Sequence, residues 1–120
     1  MSSEEQSVKR IYKAFNTANL ENLADLLHSD VDWETNPPNG RTRGREQVCA
    51  LFADRMAEWT WDFQPTSILT GEDGRITVHG RSTVRKKDGT VRRDQEIEHL
   101  YTMQDGLVRK ADLVQCRDVA

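Results

Sequence analysis

The sequence predicts an α+β fold, with three N-terminal helices packed on one curved antiparallel sheet. Three observations carry this. Val8, Ile11, Tyr12 and Phe15 recur at i, i+3, i+4 and i+7, the spacing of one helix face. From Trp61 onward the apolar spacing changes to alternation. Within that stretch "EDGR", "KDGT" and "QDGL" place Asp-Gly at 73–74, 88–89 and 105–106, the dipeptide favoured in two-residue type I′ hairpin turns. Three such turns join four antiparallel strands in chain order, and helices followed by a strand meander belong to the α+β class.

The first helix follows Ser3 and Gln6, which stand at capping-box spacing. "NTAN" (16–19) ends it, and Asn19 caps a second helix with Leu20, Leu23, Ala24 and Leu27 on its apolar face. "VDWET" (31–35) alternates and reads as a short strand. "NPPNG" (36–40) is a loop, because Pro37 and Pro38 cannot donate to a ladder. A third helix after Gly44 carries Val48, Leu51, Phe52, Met56 and Trp59. The strands are expected near 61–70, 75–86, 91–103 and 108–116.

The chain of 120 residues has room for a single domain, 1–120, with one core. A net charge of −3 excludes wholesale attraction to nucleic acid. The one basic run, "RSTVRKKDGTVRR" (81–93), alternates with turn residues and lacks aromatics to stack on bases, so it reads as a solvated hairpin tip. No stretch is apolar enough for a membrane span, and "MSSEEQSVKR" lacks the apolar segment of a signal peptide; a cytoplasmic location is the expectation. Cys49 and Cys116 show no CxxC and no histidine at metal spacing, and read as reduced, half-buried thiols.

Two-residue turns fix register, so facing residues can be counted. Across Asp88–Gly89 the count pairs Val84–Arg93, Ser82–Gln95, Gly80–Ile97, Val78–His99 and Ile76–Tyr101, placing Ile76, Val78, Ile97, Tyr101 and Met103 on the helix-covered face. His99 and Gln95 share it. Thr83–Asp94, Arg81–Glu96 and His79–Glu98 meet on the other face, where opposite charges are favourable; His79 is therefore read as a structural or surface histidine. Across Asp105–Gly106 the same count pairs Met103–Val108, Tyr101–Lys110, His99–Asp112 and Ile97–Val114. His99 and Asp112 would then stand side by side on the covered face, with Gly80 and Ser82 leaving space for a pocket. A three-residue turn would instead pair His99 with Ala111 and turn Asp112 outward. On the outer face Leu100, Ala111, Ile68, Leu113 and Thr77 leave more apolar surface than a free face should, which suggests a homodimer interface.

The order helix, helix, short strand, helix, meander, together with "FNTANL", "LLHSDVDW", "RGREQV" and "HLYTMQDGLV", resembles the nuclear transport factor two-like (cystatin-like) superfamily, and within it the SnoaL-like polyketide cyclases. The resemblance covers nearly the whole chain and implies a cone with an internal pocket. In those cyclases a strand histidine and a last-strand aspartate act together, and His99 and Asp112 match their places. A first-helix tyrosine and a residue past the short strand line the cavity there; Tyr12 and Trp33 or Asn36 are the matches. The resemblance to ketosteroid isomerases is poorer, because their general-base aspartate falls on Thr35 or Asn36, neither of them a base.

The expected function is cofactor-independent acid–base chemistry on an enolisable carbonyl compound, of the cyclase, isomerase or dehydratase type. Asp112 would be the base and His99 the donor or proton carrier, or Asp112 would orient the imidazole. Tyr12 or Tyr101 would add a second hydrogen bond, and Phe15, Trp33, Trp59, Trp61 and Phe63 an aromatic wall for a hydrophobic small-molecule ligand. Lys110 and Arg93 share the inward parity and belong at the rim. The alternative is a non-catalytic dimeric ligand-binding or interaction domain of the same fold.

Overall fold

The computed structural model describes residues 2–36 and 40–119, with Asn36 described by its backbone alone. The expected loop at Pro37–Pro38 and the side chain of Asn36 lie outside the described residues. The elements run α1 (Ser3–Asn16), α2 (Leu20–Asp25), β1 (Leu27–Asn36), β2 (Gly40–Arg43), α3 (Arg45–Glu58), β3 (Trp59–Thr70), β4 (Ile76–Lys86), β5 (Val91–Gln104) and β6 (Leu107–Asp118). The class is α+β, with helices packed against one six-stranded sheet of order β2-β1-β6-β5-β4-β3.

The sheet is mixed, not antiparallel throughout: β1 lies parallel to β6, while every other neighbouring pair is antiparallel. A tight turn forces antiparallel pairing, whereas β1 and β6 are joined only through the rest of the chain and are free of that constraint. Nor do all three helices precede the sheet, since the β1–β2 hairpin separates α3 from α2.

The helices form where apolar spacing and caps agree. Val8, Ile11 and Tyr12 of α1 are buried. Its capping box uses Ser2 and Glu5, one residue earlier than expected: the Ser2 hydroxyl accepts the Glu5 amide at 3.1 Å, and Glu5 accepts the Ser2 amide at 3.2 Å. A carboxylate there also meets the positive end of the helix dipole, which Gln6 could not do. Asn19 caps α2 by accepting the Asn22 amide at 3.1 Å. Leu27 and Trp59, expected on helix faces, open β1 and β3 instead.

The strands differ from expectation at their turns. Positive φ at both central residues occurs at Asp105–Gly106, whereas at 73–74 and 88–89 only the glycine has it. In the β4–β5 turn Gly89 donates to the Lys86 carbonyl and Lys86 to that of Thr90, a longer loop of the bulge type. That loop shifts the ladder by one, so Arg85 faces Val91. A bulge at Arg92 shifts it back, so the pairs from Val84–Arg93 to Ile76–Tyr101 are those expected.

In the β5–β6 hairpin the turn is the expected one and the strand is not. Met103 faces Val108, but Thr102 then faces Lys110, leaving Arg109 unpaired as a bulge. His99 consequently faces Leu113, Leu100 faces Asp112, and Tyr101 faces Ala111. A second irregularity, around Val114, sets Ile97 opposite Cys116. One bulge thus exchanges the faces of Asp112 and Leu113. Lys110, expected at the inner rim, is turned out with Asp112 and is exposed.

The outer face is correspondingly more polar than the sequence suggests. Ala111 is buried, and Ile68 and Leu113 pack against the core. Much of what remains outside is ion-paired: His79 with Glu98 at 3.0 Å, Arg81 with Asp94 through two contacts of 2.9 and 2.6 Å, and Arg117 with Glu96. Gly80 leaves no empty space on the inner face either. A Cβ there would stand 2.9 Å from the Phe63 ring and 2.7 Å from the Gln64 carbonyl oxygen, so the missing side chain is what lets Phe63 lie against β4.

Candidate functional site

A cavity of about 560 Å³ lies between the inner face of the sheet and the helices α1 and α3, within the range of small-molecule sites. Phe15, Trp33, Trp59, Trp61 and Phe63 all line it, with Phe52 added from α3. The rings hold one another in place: Phe15 meets Phe52 edge-on at 4.8 Å between centroids, and Trp33 meets Phe52 at 5.5 Å. Tyr12, Ser82, Gln95 and His99 supply polar groups.

His99 is the centre of this polar set. Its Nδ1 lies 3.0 Å from the Tyr12 hydroxyl, which lies 2.7 Å from the Tyr101 hydroxyl. Tyr12 in turn stacks on Phe63 at 3.9 Å between centroids. Tyr101 does not line the cavity; it is fully buried behind it. Burial drives the His99 pKa down to about 4, so the imidazole is neutral at neutral pH. Burial likewise pushes both tyrosines above their ordinary value, with the Tyr101 neighbour adding to the effect on Tyr12.

Counting protons assigns the tautomer. The two phenols and the neutral ring carry three O–H or N–H protons between them. If Nδ1 held the ring proton, it would donate to Tyr12 and Tyr12 to Tyr101, leaving the Tyr101 hydroxyl hydrogen buried without an acceptor. An unmet buried donor costs about 1–3 kcal/mol. If Nδ1 accepts, Tyr101 donates to Tyr12, Tyr12 donates to Nδ1, and both phenols are satisfied. The ring proton then resides on Nε2. That atom bonds no protein group, and among the described residues no buried polar side-chain atom lacks a partner. Nε2 therefore opens into the cavity that His99 lines, presenting an N–H.

Asp112 is not part of this set. The bulge at Arg109 turns it to the outer face, where Arg41 donates to it at 2.8 Å and to Asp32 at 2.6 Å. The same guanidinium donates to the carbonyls of Asp32 and Ala111 at 3.3 and 3.2 Å. Burial works against the charge of Arg41, but the hydrogen bonds it donates to Asp32 and Asp112, with the charges of those carboxylates, outweigh it and raise its pKa. The expected His99–Asp112 pair is thus replaced by two separate networks, one neutral and inside, one ionic and outside.

Several lining residues were not anticipated. Leu113 and Cys116 reach the cavity only through the bulges. Arg55 also lines it, donating to the Thr35 carbonyl at 3.1 Å with its guanidinium 5.7 Å from the Phe52 ring centre. Its position one helical step after Phe52 was the available signal. Arg93 lines the exposed side of the cavity. Among the described residues, no group of three or more His, Cys, Asp or Glu is placed to hold a metal ion, and no helix is long and apolar enough to cross a membrane.

Comparisons place this geometry among known folds. A computationally designed 17-OHP binder superposes with a TM-score of 0.85 at 16% identity, covering 96% of this chain and 94% of that one. TerC, co-crystallised with polyporic acid, gives 0.78 at 20% identity over 94% and 91%. An LEH-like epoxide hydrolase of M. tuberculosis gives 0.79 at 14% identity over 91% and 79%. At these identities the likeness is one of fold. No curated protein matches by sequence. The SnoaL-like domain model, however, matches residues 8–111. The chain belongs to the SnoaL-like family.

Proposed function

We propose that the chain binds a small, largely apolar carbonyl compound in this cavity and polarises its carbonyl oxygen through His99 Nε2–H. This is cofactor-independent chemistry of the cyclase or isomerase type on an enolisable substrate. The observation that carries the reading is the proton count: Tyr12 and Tyr101 leave Nε2 as a neutral donor facing an aromatic cavity. Such a donor stabilises negative charge developing on oxygen, an effect strengthened where water is excluded. Tyr12 acts as a positioning residue, and Tyr101 holds Tyr12.

Asp112 has no part in this step. A substrate already present as its enol needs no protein base to cyclise. The enol carbon bonds to the polarised carbonyl carbon, the enol oxygen loses its proton, and the new alkoxide oxygen gains one. The second reading, a non-catalytic binder, is favoured by the carboxylate at the cavity: Glu34, the one acidic residue lining it among the described residues, accepts the Leu113 amide at 2.8 Å.

The test is turnover of a cyclisable aromatic polyketone, with ¹⁵N NMR of the imidazole. The expected result is a protonated Nε2 and turnover in the wild type. A deprotonated Nε2 overturns the mechanism; a protonated Nε2 without turnover favours the binder. For the homodimer expected from the sequence, Leu69, Thr77 and Leu100 form a row across the outer face. A monomer by sedimentation at tens of micromolar (a working range of roughly 10–50 µM, where obligate dimers persist) would remove it.

A further inference from the structure

His99 is one polar point of the cavity wall, and a second lies four residues away on the same strand. Gln95 of β5 lines the cavity, and Ser82 of β4, also a lining residue, stands directly opposite it. Side chains opposed in this way have Cβ atoms about 4.5–5.5 Å apart. The Gln95 amide and the Ser82 hydroxyl therefore address the same part of the cavity. On its other side Gln95 faces Asp118, at the end of β6. That strand end is held in place, because the Val119 amide donates to the Asp94 carbonyl at 3.0 Å.

Asp118 decides how the Gln95 amide is turned. An ionised carboxylate only accepts, so the side-chain NH₂ must face it, and Gln95 Nε2 donates to Asp118 at 3.0 Å. The amide oxygen is the atom left over. Among the described residues, neither Gln95 Oε1 nor Ser82 Oγ bonds a protein group. The two polar points of the wall thus differ in sense: His99 Nε2–H donates and Gln95 Oε1 accepts, while Ser82 can do either. A ligand carbonyl, which only accepts, suits the first point and not Gln95. A hydroxyl suits the second, since it can donate to Oε1 and still accept from Ser82.

We infer that the ligand of this cavity carries a hydroxyl group at the end remote from its carbonyl, with the carbonyl oxygen at His99 and the hydroxyl between Gln95 Oε1 and Ser82. The inference rests on the cavity being the ligand site, as proposed above, and adds a second recognition point. Gln95 is its specificity-determining residue and Asp118 a positioning residue. Four residues of strand span about 13 Å. Hydrogen bonds of about 2.8 Å at each end leave roughly 8 Å between the two ligand oxygens, the reach of a fused two-ring system. Between the two points the wall is apolar, with Ile97 on β5 and Phe63 from β3.

All three tryptophans of the chain line the cavity, so intrinsic fluorescence reports occupancy directly. The probes are 6-acetyl-2-naphthol and its methyl ether, at a pH where the naphthol is neutral. They share ring and carbonyl, but only the naphthol can donate at the far end. The naphthol is expected to bind the wild type about three- to tenfold more tightly than the ether, the range of one neutral hydrogen bond. Gln95→Met, similar in size but without the acceptor, should abolish that preference and leave ether affinity within about twofold. Asp118→Ala should diminish the preference, because the amide is then free to turn its NH₂ inward. A purely structural role for the Gln95–Asp118 pair would move both probes alike. Ether binding as tight as or tighter than naphthol binding overturns the hydroxyl assignment and leaves the cavity reading standing. A preference undiminished in either variant overturns it as well. No quenching by either probe overturns the cavity reading and this inference together.

Discussion

Two polar networks lie on opposite faces of the same strands, and they are built by opposite means. Inside, His99, Tyr12 and Tyr101 form a chain of neutral groups with Nε2 as its one unspent donor. Outside, Arg41 gathers Asp32 and Asp112 in a partly buried ionic cluster, spending donors on two backbone carbonyls as well. A buried site cannot hold an isolated charge cheaply, so it is assembled from groups that can share protons. A face open to water can hold charges, and they stabilise it little individually. Only one of the two networks is free to act on a ligand: the neutral one retains a directed donor, and the ionic one has both carboxylates already engaged with arginine.

Substitutions on the two faces should differ most in turnover. His99→Gln should lower turnover of a cyclisable polyketone by about 10²–10³-fold, the usual loss on removing a donor to a developing oxyanion. Asp112→Asn should stay within about twofold of wild type, because it acts on the far face. Equal losses in steady-state assays would break the contrast.

The next effect is in stability against pH. His99 titrates near 6.5 when unfolded and about 4 when folded, so the unfolded chain takes up a proton first as pH falls. The stability held above pH 6.5 should decline toward pH 4 by on the order of 3 kcal/mol. Denaturant titrations of His99→Gln should lack that component. An identical decline in the variant would show that His99 is not held neutral by burial.

Tyr12→Phe is expected to cost about 1–3 kcal/mol in chemical denaturation, because Nδ1 and the Tyr101 hydroxyl both lose their short partner. It should also let the ring proton move to Nδ1, visible by ¹⁵N NMR. Asp112→Asn is expected to change stability by about 1 kcal/mol or less and to do so in a salt-dependent way.

Much of the inner network was legible in the sequence because the β4–β5 count survived. Its longer turn and the bulge at Arg92 cancel, so alternation placed His99, Gln95 and Tyr101 on the covered face. The pairing with Asp112 was not legible. Arg109 and Val114 have the composition of ordinary strand residues, and bulges there depend on how β6 fits between β5 and the parallel β1. Tyr12 and the aromatics were visible as apolar positions at helix and strand spacing. Gly80 misled for the opposite reason, since small residues leave room that a neighbouring ring, here Phe63, can take.

The bulge at Arg109 also bears on how this strand tolerates insertions and deletions. Removing one residue from the middle of a strand ordinarily exchanges its two faces from that point on. Removing Arg109 would instead close the ladder, keeping Lys110 opposite Thr102 and Leu113 opposite His99, at the loss of its bond to the Asp30 carbonyl. Removing Ala111 would carry Asp112 inward and expel Leu113. Two single-residue deletions, two positions apart, thus have opposite consequences: one shortens the strand and preserves the cavity, and the other rewrites its lining. Relatives whose last strand is one residue shorter can therefore share this interior without sharing the gap-free register that a sequence comparison would assign.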